Sequence, residues 1–450
     1  MFRSGQYTTL MASRVHEFRD PIHGFIKLDS EERKLVNSRP FQRLRHIHQL
    51  ALTYLVYPSA THKRFEHSLG VMDLAGRIYD VVTDPENIRH DSVRDLVPRR
   101  GEHEWTYWRR VVRAAALCHD VGHLPFSHAA EKELLPDGIR HEDLSRDLIL
   151  SDLLSGELKD LKINAEDVAK IAVGPKYFRR RPGQEQYQFS TWESVLYEII
   201  GGDVFGADRM DYLLRDAYHA GVAYGRFDHL RLIETLRILP REDQGSSEPA
   251  MGITIGGLQA AESLLWARYF MYTQLYFHPV RRIYDMHLTE FLRQALPGGK
   301  YSTDLQQHLR TTDNEMLAML AEAASKPAQP GHDSAARIVG RSHFRLLYES
   351  TPGDLQRNLN APELISEAAG KEFGAEFIRY NPYSSDADSE DFPVYQRDGS
   401  IASSVQLSTT FAQPPRFAVA YVFVAPEVKE KAKTWLEERK DRILSSAEGV

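Results

Sequence analysis

Cysteine is nearly absent from this chain of 450 residues, which contains only Cys118. A single cysteine excludes an internal disulfide and a zinc site built on several cysteines. Long apolar runs are also missing, because no stretch approaches the ~20 residues that a membrane-spanning helix requires. The first residues lack the apolar segment of a signal peptide. We therefore expect a cytoplasmic protein with no membrane partner.

The chain has no excess of basic residues either. It carries 56 Lys and Arg against 63 Asp and Glu, for a formal net charge of −7. Proteins that coat nucleic acid normally have the opposite balance, so a nucleic-acid partner is possible but not favoured. We interpret the Arg triplet at 179–181 as an exposed loop rather than a nucleic-acid patch.

Histidine is the residue that this chain has in excess. Twelve of its 19 histidines lie at or before His141, in the first third of the sequence. Histidine is the commonest metal ligand and the usual proton-transfer group near neutral pH. This distribution predicts a functional site built mainly from the first third of the chain.

Most of the chain has the periodicity of helices. Apolar residues recur every three or four positions over Phe65–Val82, Trp108–Val121 and Thr191–Ile200, which predicts a helix in each segment. A long aromatic run, Gly256–Leu296, is broken only at Pro279. This run has two interpretations, either buried core helices or helices that form a subunit interface.

The C-terminal third has a different pattern. Short β-branched and aromatic runs predict strands at Val405–Thr409 and Arg416–Val424, followed by an amphipathic helix over Pro426–Leu444. Stretches rich in Pro, Gly and Ser predict loops at 174–190, 324–334 and 381–403. We therefore predict a mainly α fold, in which a helical core at 15–300 precedes a smaller mixed α/β region at 301–450 with a flexible loop at 381–403.

The residues with the clearest chemistry lie in the segment LCHDVGHLPFSHAAE, residues 117–131. Adjacent positions on a helix lie about 100° apart, so His119 and Asp120 can both reach a metal over their shared edge. His67, in RFEHSLG, and Asp208, in GADRMDYLLRDAYHAG, would complete the set with one histidine and one carboxylate. Two His and two Asp suit octahedral Mn²⁺, Fe²⁺ or Mg²⁺, with Zn²⁺ also possible.

A family resemblance rests on five sequence motifs that occur in this order: DPIHGFIKL, FQRLRHIHQL, RFEHSLG, HDVGHLPFSH and ADRMDYLLRDAYHAG. Together they resemble the HD-domain deoxynucleoside triphosphate triphosphohydrolases, in the branch of bacterial relatives of the sterile-alpha-motif/HD-domain dNTPase. The resemblance runs from about residue 15 to about residue 295, and we expect no sterile-alpha-motif domain before it. It implies a helical HD-domain core that hydrolyses dNTPs to deoxynucleoside and tripolyphosphate.

The same resemblance implies roles for individual residues. His67, His119, Asp120 and Asp208 would hold one divalent metal ion, either Mg²⁺, Mn²⁺, Fe²⁺ or Zn²⁺. His123 would be the general acid, and His128, Glu131 and His141 would complete the catalytic group. The implied substrate-binding residues are Gln49, Leu50, Arg64, Arg209, Tyr212 and Asp216. In this set Tyr212 excludes a 2′-hydroxyl, and Asp216 holds the 3′-hydroxyl.

Two positions depart from the family pattern. A phosphate-binding arginine of the animal enzyme corresponds to Gln274 here, so Arg281 or Arg282 is expected to replace that contact. The allosteric guanine site of that enzyme has an aspartate at the position of Asn37, whereas Gln42 and Arg45 match. We therefore expect that a nucleotide activator bound at Asn37, Gln42 and Arg45 would not be specific for guanine. The family commonly forms homodimers or homotetramers.

Two alternatives to a dNTP triphosphohydrolase remain open at this point. The same metal site could serve a phosphodiesterase or nuclease acting on single-stranded nucleic acid. The chain could also be a nucleotide-binding regulator without turnover.

Overall fold

The computed structural model describes residues 15–129, 131–178, 188–243, 246–384, 391–415 and 417–445. Helices dominate these ranges, and the strands form small sheets, so the predicted mainly α class is confirmed. No helix within the described ranges combines the length and apolar character that a bilayer crossing requires.

The N-terminal half is a helical assembly that follows one short hairpin. Its elements are β1 His16–Asp20, β2 Gly24–Leu28, α1 Ser30–Asn37, α2 Arg39–Arg43, α3 Arg64–Val82, α4 Asp91–Arg94, α5 His103–Cys118, α6 Glu131–Leu134, α7 His141–Leu150, α8 Ser155–Asp160, α9 Ala165–Phe178, α10 Thr191–Gly201, α11 Ala207–Ala220 and α12 His229–Thr235. The strands β1 and β2 pair antiparallel.

The C-terminal half mixes helices with two further sheets. Its elements are β3 Leu236–Asp243, β4 Ser246–Thr254, α13 Leu258–Met271, α14 Pro279–Ala295, α15 Leu305–His308, α16 Asp313–Ser325, α17 His332–Val339, β5 Arg345–Glu349, α18 Pro352–Arg357, α19 Ala361–Phe373, β6 Ile378–Ser384, β7 Pro393–Tyr395, β8 Ile401–Ser403, α20 Ser404–Leu407, α21 Thr409–Ala412, β9 Ala418–Val424 and α22 Lys429–Ser445. One sheet has the strand order β3-β4-β7-β8, and the other has the order β5-β9-β6.

Several predicted elements are confirmed. The helices α3 and α10 cover the predicted segments, and the aromatic run is broken between α13 and α14 at Pro279. The helix predicted to reach Val121 instead ends at Cys118, where the Val121 N–H bonds to the Cys118 carbonyl at 3.2 Å. His119 and Asp120 therefore lie in the turn that follows α5 rather than within the helix.

Two predictions in the C-terminal third are wrong. The segment Val405–Thr409 was expected as a strand, but residues 405–407 lie in α20 and Thr409 begins α21. The Ser408 hydroxyl caps α21 by accepting the Thr410 N–H at 3.1 Å. The stretch 381–403 was expected as a loop, but its described parts contribute to the strands β6, β7 and β8. Residues 385–390 lie outside the described part of the chain. The hairpin of β3 and β4 was not predicted.

The main hydrophobic core is formed by the helices that carry the site. The helix α3 packs against α5 and α11, and the buried side chains of Val71, Leu117 and Leu213 belong to one cluster. A second cluster joins Phe291 of α14 to Leu320 of α16, so the packing is continuous across residue 300. The division into regions at 15–300 and 301–450 stays a prediction.

The close approach of α3 and α11 requires glycine at position 70. A Cβ atom on Gly70 would overlap with Asp211 Oδ1 and would lie 2.5 Å from Arg215 Nη2. Both of these side chains are fully buried, so neither can move into solvent to make room. Gly70 therefore permits a buried ion pair of α11 to lie directly against α3.

We predict that Gly70→Ala lowers the free energy of unfolding by about 3 kcal/mol or more, because it disrupts a buried charged pair. The matched control is Gly156→Ala in α8, where nothing lies within 4 Å of the added Cβ. This control should raise stability by about 0.5 kcal/mol, since alanine favours helix more than glycine does. Urea denaturation followed by circular dichroism measures both values. Equal stabilities of the two variants would contradict the packing described.

Candidate metal centre and active-site cavity

Two histidines and two carboxylates converge where α3, the turn after α5 and the start of α11 meet. His67 Nε2 lies 3.0 Å from Asp208 Oδ1 and 3.7 Å from Asp120 Oδ2. His119 Nε2 lies 3.4 Å from Asp120 Oδ1 and 3.7 Å from Asp208 Oδ1. The structure thus brings together all four residues expected to bind metal, although they come from three separate elements.

The second nitrogen of each histidine is occupied by a hydrogen bond. His67 Nδ1 donates to Asp211 Oδ2 at 2.8 Å, and His119 Nδ1 donates to the Ala116 carbonyl at 2.7 Å. Both Nε2 atoms are buried without a hydrogen-bond partner among the described residues. Partners of this kind fix the tautomer of a metal-binding histidine and aim its free nitrogen at the ion.

Asp211 is the centre of a buried network behind the metal site. Arg215 donates to both of its oxygens, at 2.8 and 3.0 Å, and His23 Nε2 lies 2.6 Å from Oδ1. Arg215 also donates to Asp20 Oδ2 at 2.8 Å. Burial raises the pKa of Asp211, but Arg215, His23 and His67 together lower it well below its usual value. Asp211 therefore stays ionised and holds the ring of His67 in place.

The charges of the site suit a divalent cation. Burial lowers the pKa of His67, yet Asp208 and Asp211 outweigh this effect and raise it to about 10. The pKa of His119 is also raised, because Asp120 and Asp208 outweigh its burial. The neighbouring carboxylates thus favour a positive charge at both Nε2 atoms. A bound cation would supply that charge in place of protons, so the residues present fit a metal with mixed nitrogen and oxygen ligands.

Arg64 connects the metal site to the loop after it. Its guanidinium forms an ion pair with Asp120 and donates through Nε to Ser127 Oγ at 2.7 Å. Burial raises the pKa of Asp120, but Arg64 and the histidines outweigh this and lower it. Arg64 is itself buried and lines the cavity beside the metal site.

A second group of histidines lies next to the four candidate metal ligands. The ring of His123 stacks on that of His141 at a centroid distance of 3.8 Å and meets His128 edge-on at 4.6 Å. Glu131 accepts hydrogen bonds from His141 Nδ1 at 2.8 Å and from His128 Nδ1 at 3.0 Å. His123 Nε2 lies 3.5 Å from Asp120 Oδ1. The four residues predicted as the catalytic group therefore form one cluster.

The members of this cluster differ in their protonation. Burial and the positive charge of Arg64 hold the pKa of His123 well below its usual value. Burial also lowers the pKa of His141, but Glu131 outweighs it and raises the value to about 9. Neighbouring groups whose pKa values are pushed apart are a feature of acid–base sites.

Both groups border a cavity of about 500 Å³, a size suited to a small ligand. The cavity is lined by eleven of the predicted residues: Gln49, Leu50, Arg64, His119, Asp120, His123, His128, His141, Asp208, Tyr212 and Asp216. His67 and Glu131 lie behind this lining and are almost fully buried.

Asp216 is held by two residues to which the sequence assigned no role. His62 Nε2 donates to Asp216 Oδ1, and the Tyr276 hydroxyl donates to Oδ2, each at 2.7 Å. His62 lies just before the RFEHSLG motif. His23, which contacts Asp211, lies in the DPIHGFIKL motif. His62 and His23 thus lie beside or within the motifs of the family resemblance. Their partners, Asp216 and Asp211, are more than 150 residues away in the chain, so no local sequence pattern indicated these contacts.

Other predicted residues lie elsewhere. Arg209 does not line this cavity but an adjoining one of about 700 Å³, next to Arg268. Gln274 is exposed, whereas Arg281 and Arg282 line the cavity of about 500 Å³. Their contact with phosphate stays a prediction. The triplet at 179–181 lies outside the described residues.

The three residues of the suggested activator site lie together on the surface. Gln42 accepts a hydrogen bond from Arg45 at 2.9 Å and donates to the Val36 carbonyl, next to Asn37. None of the three lines the cavity of the metal site.

The Glu131–His141 pair predicts a pH-dependent stability. The folded pKa of His141, about 9, lies above the unfolded value of about 6.5, so the stabilisation is complete below pH 6.5 and is lost as pH rises through 9. We expect wild type to exceed Glu131→Gln by about 2 kcal/mol in free energy of unfolding at pH 6. This difference should shrink towards pH 10.

Urea denaturation at several pH values measures that difference. The control is Asp441→Asn, which removes an exposed ion pair with Arg357 and should change stability by less than about 0.5 kcal/mol. A wild-type advantage over Glu131→Gln that stays constant from pH 6 to 10 would contradict the raised pKa of His141.

Comparison with protein families places two matches on the chain. A family model described as the HD domain matches residues 64–174, and a model described as the HD associated region matches residues 227–359. The first match contains His67, His119 and Asp120, and Asp208 lies between the two matches.

Individual relatives extend these matches. A crystal structure of a hypothetical protein from Aquifex aeolicus is 32% identical, covers 94% of this chain and 100% of that chain, and superposes with a TM-score of 0.76. The uncharacterised protein YwfO of Bacillus subtilis is 37% identical over 62% of this chain and 55% of its own length. The chicken deoxynucleoside triphosphate triphosphohydrolase SAMHD1 is 30% identical over 79% of this chain and 58% of its own length.

The chain thus spans just over half the length of these two curated relatives, whereas it spans all of the Aquifex protein. The HD-domain match and the Aquifex likeness agree with the metal site described above. The chain therefore belongs to the HD-domain phosphohydrolase family.

Proposed function

We propose that this protein is a metal-dependent dNTP triphosphohydrolase, which converts a dNTP and water to a deoxynucleoside and tripolyphosphate. The observation that carries the proposal is the position of the metal site. Three of the predicted ligands, His119, Asp120 and Asp208, line a cavity of about 500 Å³ that Tyr212 and Asp216 also line. The fourth, His67, lies behind this lining with its Nε2 atom 3.0 Å from Asp208 Oδ1. The vertebrate relatives named deoxynucleoside triphosphate triphosphohydrolase support the same substrate class.

The ion would be held by His67, His119, Asp120 and Asp208. When bound, a divalent cation neutralises phosphate charge and lowers the pKa of a coordinated water. Asp211 and the Ala116 carbonyl orient the two histidines, so the donor set is arranged before an ion arrives.

His123 is the residue we assign to protonating the leaving 5′-oxygen. Its lowered pKa keeps the ring neutral in the free protein, so the negative charge of a bound triphosphate would have to raise that pKa before the ring takes up the proton that it delivers. Both of its ring nitrogens are buried without partners among the described residues, and the ring faces the cavity beside Asp120. His141 stacks on one face of this ring and carries a proton shared with Glu131. Glu131 thus positions the cluster through His141 and His128.

The cavity lining offers different groups for the phosphates and for the sugar. Arg64, Arg281 and Arg282 offer positive charge along the cavity wall, and arginine suits phosphate because its donors are arranged as a fork. Tyr212 and Asp216, on α11, would contact the deoxyribose. Tyr276 lies edge-on to Tyr212 at 6.2 Å and bonds to Asp216, so it supports both contacts.

Two further proposals concern partners. We propose that a nucleotide activator binds at Asn37, Gln42 and Arg45, outside the active-site cavity. We also propose a homodimer or homotetramer, because Trp266 and Phe270 of α13 are stacked and each is 40% exposed. Large exposed aromatic side chains of this kind are enriched at protein interfaces.

The first test is a panel of the four dNTPs and four NTPs with Mn²⁺ or Mg²⁺, with chromatographic analysis of products. We expect tripolyphosphate from dNTPs, and we expect His119→Ala to lower the rate by at least about 100-fold because a metal ligand is lost. The control His103→Ala changes an exposed histidine at the other end of α5 and should retain full activity.

Two outcomes would contradict the proposal. Full activity of His119→Ala would remove the metal site from the reaction. Release of mononucleotides from single-stranded DNA, without hydrolysis of any dNTP, would favour a phosphodiesterase instead.

The second test concerns the sugar. If the Tyr212 ring occupies the space of a 2′-hydroxyl, then Tyr212→Ala should lower the ratio of kcat/KM for dNTP over NTP by about 10-fold or more, as expected for a lost steric contact. The control Tyr218→Ala removes a tyrosine of the same helix that is 49% exposed. An unchanged ratio in Tyr212→Ala would show that another residue excludes ribose.

A further inference from the structure

A buried aspartate from the C-terminal half of the chain reaches the active-site loops. Asp313, the first residue of α16, has a fully buried side chain. Its Oδ1 accepts the backbone N–H of Phe126 at 2.8 Å. Its Oδ2 accepts the backbone N–H of His48 at 2.7 Å and the ring Nδ1–H of His48 at 2.6 Å.

Asp313 is not needed to cap its own helix. The start of α16 is closed by Thr312, whose hydroxyl accepts the Asn314 N–H at 3.2 Å. Glu315 completes this cap by accepting the Thr312 N–H at 2.7 Å. The Asp313 carboxylate therefore makes its contacts with the distant loops alone.

The loop that Asp313 holds has an unfavourable backbone. Phe126 and Ser127 have φ angles of 60° and 55°, in the left-handed region that residues other than glycine rarely adopt. Such a conformation persists only where surrounding contacts hold it. Both residues line the active-site cavity, so the shape of one cavity wall depends on these contacts.

The same contacts continue to Arg64. Ser127 Oγ donates to the His48 carbonyl at 2.7 Å and accepts from Arg64 Nε at 2.7 Å. Lys63 Nζ lies 2.6 Å from His48 Nε2, so the ammonium group donates to this nitrogen while Nδ1 donates to Asp313. A closed ring of hydrogen bonds thus joins Asp313, His48 and the 126–127 turn. Arg64, which pairs with Asp120, is attached to this ring at Ser127.

We propose that Asp313 is a positioning residue of the active site, acting through the 126–127 turn and His48 on Arg64. The effect on rate rests on the proposed function, whereas the effect on the turn does not. In this account the HD associated region contributes to catalysis by holding the strained loop that carries part of the cavity wall.

The experiment compares Asp313→Ala and Asp313→Asn with the control Asp304→Ala. Asp304 is an exposed aspartate nine residues earlier that caps α15 by accepting the Gln307 N–H at 2.8 Å. Two quantities are measured, namely kcat and KM for dNTP hydrolysis with Mn²⁺, and amide hydrogen exchange of peptides across the whole protein.

We expect kcat of Asp313→Ala to fall about 100-fold with KM changed by less than about threefold, because misplaced groups act mainly on the reacting state. Exchange should rise within residues 124–129 and not across the protein. Asp313→Asn should be intermediate, since its amide oxygen can still accept the Phe126 N–H. Asp304→Ala should match wild type in kcat and in the exchange of residues 124–129, and any rise in exchange should be confined to α15, which Asp304 caps.

Three results would overturn the proposal. One is a kcat in Asp313→Ala equal to that of the control. Another is a rise in exchange spread over the whole chain, which would indicate a general loss of stability. The third is a local rise in exchange with an unchanged kcat. If Asp313→Ala does not fold, Asp313→Asn decides between the same outcomes.

A wild-type protein that hydrolyses no dNTP would refute the proposed function separately. The exchange comparison would then still decide whether Asp313 holds the turn.

Discussion

The hydrogen bond from His67 to Asp211 is the interaction on which the metal site depends. Asp211 is fully buried and remains ionised because Arg215 and His23 satisfy its oxygens. Burying a carboxylate without such partners would lower the stability of the fold. The buried Asp211 therefore requires both the positive charge of Arg215 and the absence of a side chain at Gly70. The His67 ring is therefore held so that its Nε2 atom faces Asp208 and Asp120.

Around this centre, each part of the chain contributes one component of the site. The N-terminal hairpin supplies Asp20 to the network behind the candidate metal site, and α11 supplies both the fourth proposed ligand and the proposed sugar contacts. The associated region supplies Asp313, which holds the loop on the opposite wall. The candidate site is therefore assembled from distant segments, each held by buried polar contacts.

Local patterns predicted the helices and the ligand set, but they could not predict the long-range partners. His67, His119 and Asp120 lie in distinctive sequence motifs, and the spacing of apolar residues predicted α3. His23 and Asp211 are 188 residues apart, and nothing in either neighbourhood indicates that they meet. The position of Arg209 was also beyond reach, because only the packing of α11 decides that Asp208 and Arg209 border different cavities. The segment 405–409 contains β-branched residues that favour a strand, yet α20 ends at Leu407 and α21 begins at Thr409, where the Ser408 hydroxyl caps the second helix.

The most direct test of this account is a calorimetric titration of Mn²⁺ into wild-type protein and Asp211→Asn. Asp211 touches no ion in this account, so its only influence on binding is the orientation and charge of His67. We predict one Mn²⁺ per chain in wild type and an affinity about 10- to 100-fold lower in folded Asp211→Asn. Equal affinities, or no binding to wild type, would contradict the central role of the Asp211–His67 hydrogen bond.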